Sequence, residues 1–398
     1  MESRVIDPIF SASMMTSAQG SHISTGAHAA QNGYKACPPL EVDAMENRIV
    51  VGTLDSPSCQ VTSQISTHFE STNSGDLEHL VAPVEDFESG IKSLSTGDID
   101  ILALQATEIF GREAMISESG CQVIGARTPR RPSLVLVSPD RLMYQPKSAI
   151  IVSDSCLVRR QLLRARSDLQ AISTGELGTL VSGFALPEDS NDLPRALAEL
   201  LERGEIDGFV ISRAEYEGSN QTERRHTLMS QPNERGAPHF VPPPYSDLIA
   251  VISRIGFPSR LAQNLTEPEG NTVLWVQSRI MGNLEDSMHD KIGLEVRHRQ
   301  VGAILRQAEA NRDLVLEQSC HDPDGEIYHD EVRVEIRMET LSESGRRTLS
   351  LERLVAISEY QRAVIALLMD WGNLVNESTR EVPRDHPTDE DAPPFLKE

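Results

Sequence analysis

The sequence predicts an α/β protein with a distinct α+β region in its C-terminal third. Three observations lead to this prediction. Short apolar runs rich in β-branched residues recur through the first two thirds and are bounded by turn residues, as buried strands are. Residues 196–212, ALAELLERGEIDGFVIS, form a helical pattern that feeds directly into a strand pattern. The C-terminal third instead combines a strictly alternating segment with a closing amphipathic pattern.

The elements follow one another in a regular order. A helix is predicted over 191–204, with an Asn/Asp start, Pro194 near the first turn and Gly204 as the stop. A polar stretch covers about 255–292. The remaining predictions are a helical pattern through 296–317, a half-exposed antiparallel strand at 332–342 and an amphipathic helix at 354–372. Strands are predicted at 48–54, 99–104, 121–127, 133–138, 148–153, 206–212 and 246–253.

Both ends of the chain lack the patterns of folded elements. Residues 1–46 are rich in Ser, Ala, Thr, Gly and His and show no clear periodicity, so we expect a disordered extension. They contain Arg4 and Lys35 as their basic residues, which disfavours a transit peptide. Residues 377–398 are rich in proline and acids and predict a disordered acidic tail.

The charge of the chain excludes one class of partner. The net charge is -23 and the pI is about 4.9, and arginine strongly outnumbers lysine among the 37 basic residues. Arginine is the better clamp for carboxylates and phosphates. Nucleic acid is not expected as a partner, because phosphate binding needs a basic surface.

The five cysteines indicate a reducing compartment. They are odd in number, widely scattered and form no CxxC pair, so a disulfide framework is disfavoured and a cytoplasmic location is expected. No stretch approaches the ~20 consecutive apolar residues of a membrane span, and no membrane partner is expected.

The segment 316–325, LEQSCHDPDG, places a cysteine beside a histidine and two aspartates. Metal binding is disfavoured, because adjacent Cys320 and His321 rarely converge on one ion and no second cysteine lies nearby. The spacing of acids before Gly325 does not fit a calcium loop. A nucleophilic cysteine would need a base held beside it. On these residues alone, the simplest interpretation is a surface turn that carries a thiol.

A wider comparison of motifs changes the interpretation of this segment. Residues 308–328, AEANRDLVLEQSCHDPDGEIY, resemble the cofactor-bearing region of the porphobilinogen deaminase (hydroxymethylbilane synthase) family, A-E-R followed by L-E-G-G-C-x-x-P-x-G. Ala308, Glu309, Cys320, Pro323 and Gly325 lie in register with that pattern. Further blocks resemble the family in the same order, at 48–57, 97–109, 123–138, 151–169 and 201–214.

The resemblance implies a fold of three domains. Two α/β domains of the periplasmic-binding-protein type would face each other across a cleft, with domain 1 at 47–125 and 240–262 and domain 2 at 126–239. A small α+β domain 3 at 263–376 would carry the cofactor cysteine, and an insertion is expected near 255–292.

The resemblance also implies an activity. The family condenses four porphobilinogen units into a linear tetrapyrrole with loss of ammonia, on a dipyrromethane cofactor held by a thioether that would involve Cys320 in this chain. The family's catalytic aspartate falls on Glu108, although a surface acid at a helix start remains an open alternative. The family is usually monomeric. Anion-binding positions in register with the family are Ser56, Ser153, Ser155 and Arg131, with Arg159 and Arg160 close to the positions of a family arginine pair.

Several family residues are replaced in this chain. Uncharged side chains occupy five arginine positions, and Tyr245, Ser246 and Asp247 stand where the family has Gly-Gln-Gly. The replaced arginines fall on Leu54, Leu157, Val158, Thr174 and Leu180.

The basic run between Arg127 and Arg166 has two interpretations. It holds eight arginines and one lysine against two aspartates, inside a strongly acidic chain. It could pair with acids of a neighbouring domain, or it could form a relocated clamp for a polycarboxylate, as favoured by the closeness of Arg131, Arg159 and Arg160 to the family's anion-binding positions.

Two functions therefore remain open from the sequence. The retained Cys320 favours a diverged hydroxymethylbilane synthase. The lost arginines favour an impaired or inactive relative that binds a tetrapyrrole or another polycarboxylate. A periplasmic-type solute-binding protein is less favoured, because no signal peptide is visible.

Overall fold

The computed structural model describes residues 48–72, 78–128, 133–181, 184–231, 237–321 and 324–379. The predicted extension at 1–46 lies outside the described residues, as does the tail from residue 380 onward.

The helices and strands form three consecutive groups along the chain. The first group is β1 (Arg48–Leu54), α1 (Val61–Ser71), β2 (Glu78–Pro83), α2 (Phe87–Thr96), β3 (Ile101–Gln105), α3 (Glu113–Glu118) and β4 (Cys121–Arg127). The second is β5 (Leu134–Val137), β6 (Ile150–Val152), α4 (Cys156–Ala165), β7 (Gln170–Ile172), α5 (Thr174–Leu180), α6 (Leu193–Glu202), β8 (Gly208–Ser212), α7 (Arg213–Gly218) and β9 (Arg225–Leu228). The third is β10 (Ile249–Arg254), α8 (Ser259–Ala262), α9 (Pro268–Met281), β11 (Ile292–Gln300), α10 (Val301–Asn311), α11 (Leu314–Gln318), β12 (Val332–Leu341), β13 (Thr348–Ala356) and α12 (Tyr360–Ser378).

The first lobe is a five-stranded sheet with the order β2-β1-β3-β10-β4. Strands β1, β2 and β3 are parallel, whereas β10 runs antiparallel between β3 and β4. All five residues of β3 are buried, which explains its continuous apolar run. Because β10 follows the whole second lobe in the chain, the polypeptide leaves the first lobe after β4 and returns to it at β10.

The second lobe repeats this architecture with the order β7-β6-β8-β5-β9. Strand β6 is parallel to β7 and β8, and β5 is antiparallel to β8 and β9. Helix α6 begins with Pro194 in its first turn, as the sequence predicts. The buried face of α6 is supplied by Leu197, Ala198 and Leu200. Two α/β lobes of like strand order therefore confirm the predicted α/β class.

The third domain is an antiparallel sheet with the order β11-β12-β13. One face carries apolar residues such as Leu294, Ile336 and Met338. These belong to one continuous core that also contains residues of the first lobe, of α9 and of α12. The first lobe and the third domain are therefore joined by apolar packing.

The opposite face of the same sheet carries charges that are buried. Strands β11 and β12 bring Arg297 opposite Glu335 and Glu295 opposite Arg337. Glu335 is 1% exposed and is paired with Arg297 and with Arg299, whose Nη1 lies 2.9 Å from Oε1. Cross-strand pairs of opposite charge stabilise a sheet where both partners are hydrogen-bonded.

Helix α4 of the second lobe packs on this charged face. The carboxylate of Glu339, 1% exposed, accepts two hydrogen bonds from Arg164, at 2.8 and 3.1 Å. It also accepts one from Gln161 at 2.8 Å, and His239 Nε2 lies 3.1 Å away. Arg160 donates to the Leu341 carbonyl at 2.5 Å. We call this set of contacts, made by Arg160, Gln161, Arg164, His239, Glu339 and Leu341, the α4 seam.

A glycine lets the third domain approach α4 this closely. Gly345, in the turn between β12 and β13, has φ +70°, and a Cβ there would lie 2.6 Å from the Arg160 oxygen and 2.9 Å from the Leu163 carbonyl carbon. Both the backbone conformation and the space therefore require glycine.

Three predictions for the C-terminal third are wrong. Residues 296–300 belong to β11 and not to a helix, because Arg297 and Arg299 alternate with Val296 and bury their charges against Glu335. Residues 354–356 belong to β13, and the last helix begins at Tyr360. The strand at 332–341 is central and largely buried on both faces, not half-exposed.

The segment predicted as a polar insertion also contains defined structure. Helix α9 packs on β4, β11 and α12, so it joins the first lobe to the third domain. None of the helices in the described part of the chain combines the length and the apolar character needed to cross a membrane.

The α4 seam makes a prediction for stability. Replacing Glu339 with Gln leaves the Arg164 guanidinium without its counter-charge, and we expect the free energy of unfolding to fall by about 3 kcal/mol. Urea unfolding measures this change. Glu343→Gln is the control, because Glu343 is exposed and lies 3.9 Å from Arg160, and should change the value by less than about 1 kcal/mol. Equal effects of the two variants would contradict the account.

The same carboxylate predicts an acid sensitivity. Burial by itself would raise the pKa of Glu339, but hydrogen bonds from His239, Arg164 and Gln161 outweigh it and lower the pKa to about 2. Its contribution is therefore complete above the ordinary value of 4.5 and is lost as the pH falls from there toward about 2. Glu339→Gln should unfold with a shallower dependence on pH across this range.

Candidate functional site

The cleft between the two lobes collects the ends of four parallel strands. Segments that follow β1 and β3 reach it from the first lobe, and segments that follow β6 and β8 reach it from the second. Ligands of open α/β sheets bind outside the carboxyl ends of the strands. This position makes the cleft the candidate functional site.

The cavity at which these four strand ends meet has a volume of about 330 Å³, and we call it the main cavity because of this position. Its lining combines apolar side chains with hydroxyl, amide and carboxylate groups, which is the composition of a small-molecule pocket. The polar lining is supplied by Ser58, Gln105, Thr107, Ser133, Ser153, Asp154, Ser155, Thr174, Ser212, Glu215, Ser246 and Asp247. Among the described residues that line this cavity there is no lysine or arginine.

The charged groups of the main cavity are carboxylates. Asp154 follows β6 and accepts hydrogen bonds from the backbone N–H and the hydroxyl of Thr174, at 2.9 and 2.7 Å. Asp247 is 4% exposed and lies on the segment that returns to the first lobe. Glu215 lies in the first turn of α7, which Ser212 caps. The cavity is therefore acidic over its described part.

Glu215 has an unusual proton affinity. Its carboxyl group is partly buried, and burial raises its pKa to about 7, although a hydrogen bond from the Ser212 backbone opposes the shift and the negative charge of Asp154 adds to it. The charge of the cavity therefore changes near neutral pH.

Gln105 organises the first-lobe side of the cleft. It is the last residue of β3 and is 7% exposed. Its Oε1 atom accepts hydrogen bonds from the hydroxyls of Ser56 and Ser58, the latter at 2.8 Å. These two contacts fix the segment after β1 beside the end of β3. Ser56, predicted from the sequence as an anion-binding residue, donates its hydroxyl to Gln105 and lines the two neighbouring cavities described below.

The segment that returns from the second lobe lines the main cavity in a strained conformation. Tyr245 and Asp247 are not glycines, yet their φ angles are 60° and 51°. Such left-handed backbone costs on the order of 1–2 kcal/mol per residue. The Tyr245 backbone N–H donates to Gln277 of α9 at 2.7 Å, which ties the segment to that helix.

Two further cavities adjoin the main one. The second, of about 430 Å³, lies between the lobes and includes Glu215 in its lining. The third, of about 550 Å³, lies on the first lobe and shares Gln105 with the main cavity. Glu108 lines this third cavity and not the main one. Its carboxylate accepts a hydrogen bond from Arg112 at 2.9 Å, one helical turn away.

The predicted anion-binding residues are only partly brought together. Ser153 and Ser155 line the main cavity, and Ser155 also caps α4 by accepting from Val158 at 3.3 Å. Arg159 donates to the carbonyls of Ser153 and Asp154 at 2.7 and 2.9 Å, behind the cavity wall. Arg131 lies outside the described residues.

Arg160 does not belong to a clamp in the cleft. It is 8% exposed and its guanidinium contacts Leu341 in the α4 seam. Arg164 lies in the same seam, and Arg166 contacts Asp168 and the Gln145 carbonyl. Of the two interpretations of the basic run, pairing with a neighbouring domain describes Arg160 and Arg164, which α4 directs to the third domain, whereas Arg166 is bound within the second lobe.

Cys320 lies in the core of the third domain. Its side chain is 0% exposed and packs with Val301 and Ile304, and its Sγ lies 3.5 Å from the Leu316 carbonyl oxygen. The cysteine is absent from the linings of the three cavities described above. These surroundings do not fit a thioether-bound dipyrromethane that reaches the cleft.

Sequence reasoning missed the carboxylate of Glu215. The signal was present as Ser-x-x-Glu directly after a buried strand, which places an acid at the carboxyl end of that strand. The described residues contain no group of three His, Cys, Asp or Glu side chains that could hold a metal ion.

Comparisons with known proteins return structural likenesses alone. No family model and no curated protein matches the chain. A periplasmic substrate-binding protein of an ABC transporter from Coxiella burnetii is 15% identical, with a TM-score of 0.30 over 58% of this chain and 95% of that one. A nutrient-binding protein from Burkholderia cenocepacia bound to methionine is 14% identical, with a TM-score of 0.31 over 55% and 92%. The regulatory domain of OxyR2 from Vibrio vulnificus is 14% identical, with a TM-score of 0.30 over 61% and 99%.

Glu215 predicts a dependence of stability on pH. The folded protein holds a proton on Glu215 up to about pH 7, whereas the unfolded chain releases it near the ordinary value of 4.5. The folded state is therefore destabilised as the pH rises through this range, by about 1–3 kcal/mol. Glu215→Gln should remove this loss in urea unfolding at pH 5 and pH 8. The control is Glu202→Gln at the exposed end of α6, and a variant at 215 that behaves like this control would contradict the assignment.

The burial of Cys320 predicts that its thiol reacts slowly with alkylating reagents. Burial raises the pKa of Cys320, and the side chain is inaccessible, so alkylation by iodoacetamide should be slow. Cys156, at the first position of α4 and partly exposed, should react before Cys320 in the native protein. Peptide mapping measures both, and equal rates are expected in urea. Faster reaction of native Cys320 would contradict its placement.

Proposed function

We propose that this protein binds a small polar molecule in the cleft between its two lobes and does not condense porphobilinogen. We propose further that it is a diverged relative of the porphobilinogen deaminase family. The carrying observation is the lining of the main cavity, which holds hydroxyls and three carboxylates and no described cation. A neutral or positively charged ligand suits this lining.

The charge of the cleft argues against a polycarboxylate ligand. Two like charges about 4 Å apart repel by roughly 1–4 kcal/mol, depending on how much water screens them. Porphobilinogen carries two carboxylates, and a growing tetrapyrrole carries more. Recognition of such groups needs opposed cations, most often arginine. The four arginines at the end of the basic run bind carbonyls and acids elsewhere in the protein instead, namely Arg159, Arg160, Arg164 and Arg166.

The placement of the two candidate catalytic groups also supports binding without condensation. Glu108 lies outside the main cavity and pairs with Arg112. Cys320 lies in the core of the third domain. A condensation on a cysteine-bound primer needs the acid and the anchored primer in one site.

The backbone of the returning segment supports the relation to the family. The family pattern has Gly at the positions of Tyr245 and Asp247. Both residues have a positive φ in this chain, which is the conformation that glycine adopts most easily. A bend that glycine would adopt easily is thus formed here by other residues, and this supports the proposal of common ancestry with a changed cleft.

A thermal-denaturation screen tests the ligand class. We expect at least one compound from a panel of amines, amino acids and polyols to stabilise the protein, by about 2.7 kcal/mol at a concentration 100 times its dissociation constant. Uroporphyrin, an octacarboxylate, should have no effect. Glu215→Gln should weaken the effect of amines and spare that of polyols. Stabilisation by uroporphyrin or porphobilinogen without any by the panel would overturn the proposal.

Intact-mass measurement tests the competing enzymatic function. We expect the unmodified mass for protein expressed in a host that makes porphobilinogen. A mass excess equal to a dipyrromethane group that disappears in Cys320→Ser would contradict the proposal and favour a hydroxymethylbilane synthase. Cys156→Ser is the matched control, since Cys156 lies on a different domain.

A further inference from the structure

The two lobes touch beside the second cavity, where Gln60 lies on Gly218. Gln60 directly precedes α1 in the first lobe, and Gly218 is the last residue of α7 in the second. A Cβ at position 218 would lie 2.8 Å from Cδ of Gln60 and closer still to its Nε2. The carboxamide of Gln60 therefore occupies the space that a side chain at 218 would need.

The backbone of Gly218 does not itself require glycine. Its φ lies outside the left-handed range, unlike that of Gly204 or Gly345. The absence of a side chain is therefore needed for the approach of Gln60 and not for the conformation of the chain. Gly218 therefore differs from a glycine that ends a helix through its positive φ, because its role is to let the other lobe approach.

Both partners are held by their local structure. Ser56 and Cys59 exchange backbone hydrogen bonds at 3.0 Å, which fixes the turn immediately before Gln60. Helix α7 carries Glu215 and Gly218 three residues apart, close to one helical turn. Approach of Gly218 to Gln60 therefore also sets where Glu215 stands relative to the first lobe. Asp55, Ser56, Gln60, Glu215 and Gly218 line the second cavity together.

We propose that Gln60 and Gly218 form the closure contact of the cleft, and that the missing side chain at 218 determines how far the lobes close. A side chain at 218 holds α7 away from the first lobe and enlarges the second cavity. The effect on ligand affinity rests on the function proposed above. The contact itself does not, and it is tested without a ligand.

Disulfide trapping tests the contact directly. In Gln60→Cys the Sγ takes about the place of Cγ, which lies 3.5 Å from a Cβ built at 218. This places the two cysteines near the separation at which disulfides form, with Cβ atoms about 3.5–4.5 Å apart. The full-length double variant Gln60→Cys/Gly218→Cys should form a cross-link under mild oxidation, found by peptide mapping between positions 60 and 218. The control pair is Gln60→Cys/Glu202→Cys, with the second cysteine at the end of α6. Trapping no faster than in the control would overturn the proposal.

A compensating pair tests the role of side-chain size. Gly218→Gln should speed amide hydrogen exchange in residues 56–66 and 213–219 several-fold, because two glutamine side chains compete for one space. Adding Gln60→Gly should restore the slow exchange, since glycine is tolerated at a helix N-cap. Gly372→Gln, at a helical position with nothing within 4 Å, should have no effect on these segments. Faster exchange that Gln60→Gly does not reverse would contradict the proposal.

These tests distinguish the two proposals. A cross-link with no stabilising ligand in the panel leaves the closure contact intact and removes the proposed ligand class. A stabilising amine without a cross-link supports the proposed ligand class and removes the closure contact.

Discussion

The buried carboxylate of Glu339 is the interaction on which the arrangement of the domains depends. It is 1% exposed and receives a bidentate pair from Arg164, with Gln161 and His239 completing its partners. Bidentate pairs between arginine and a carboxylate are strong and directional. The α4 seam holds the second lobe on the third domain, and the shared apolar core holds the third domain on the first lobe. The position of the two lobes on either side of the cleft therefore depends on a polar contact on one side and on an apolar contact on the other.

This division has a direct consequence for function. Helix α4 carries three arginines in an acidic protein, yet it turns Arg160 and Arg164 to the third domain. What remains at the amino end of α4 is Ser155, and the carboxylates of Asp154 and Glu215 face the main cavity. Two arginines of the run that suggests an anion clamp therefore serve domain packing, and the described part of the cleft is acidic.

Much of the fold could be predicted from the sequence, because each lobe consists of short buried strands with continuous apolar runs, such as β3 and β8. The elements of the third domain were harder to predict from the sequence. Strand β11 buries Arg297 and Arg299 against Glu335. Its charged residues are therefore not on a solvent-exposed face, as they would be in a surface strand. Helix α9 buries a broad face and so lacks a clear polar stripe.

Some residues of the candidate site could be predicted from the sequence. The others could not, and the reason is again physical. Ser153 and Ser155 follow a recognisable strand, and a residue at a strand end faces the cleft by topology. The orientation of the Arg160 side chain cannot be predicted in this way, because it depends on which domain packs on α4. The burial of Cys320 likewise depends on the packing of α10 and α11, which a motif in register does not report.

A double-mutant cycle between Arg164 and Glu339 tests this account most directly. Arg164→Met, Glu339→Gln and the pair should be compared by urea unfolding and by binding of the ligand that the screen identifies. The account predicts a coupling energy of about 2 kcal/mol or more and an affinity for ligand that the Arg164 variant retains. A coupling energy near zero, together with loss of ligand binding in Arg164→Met, would place this arginine in the cleft and contradict the account.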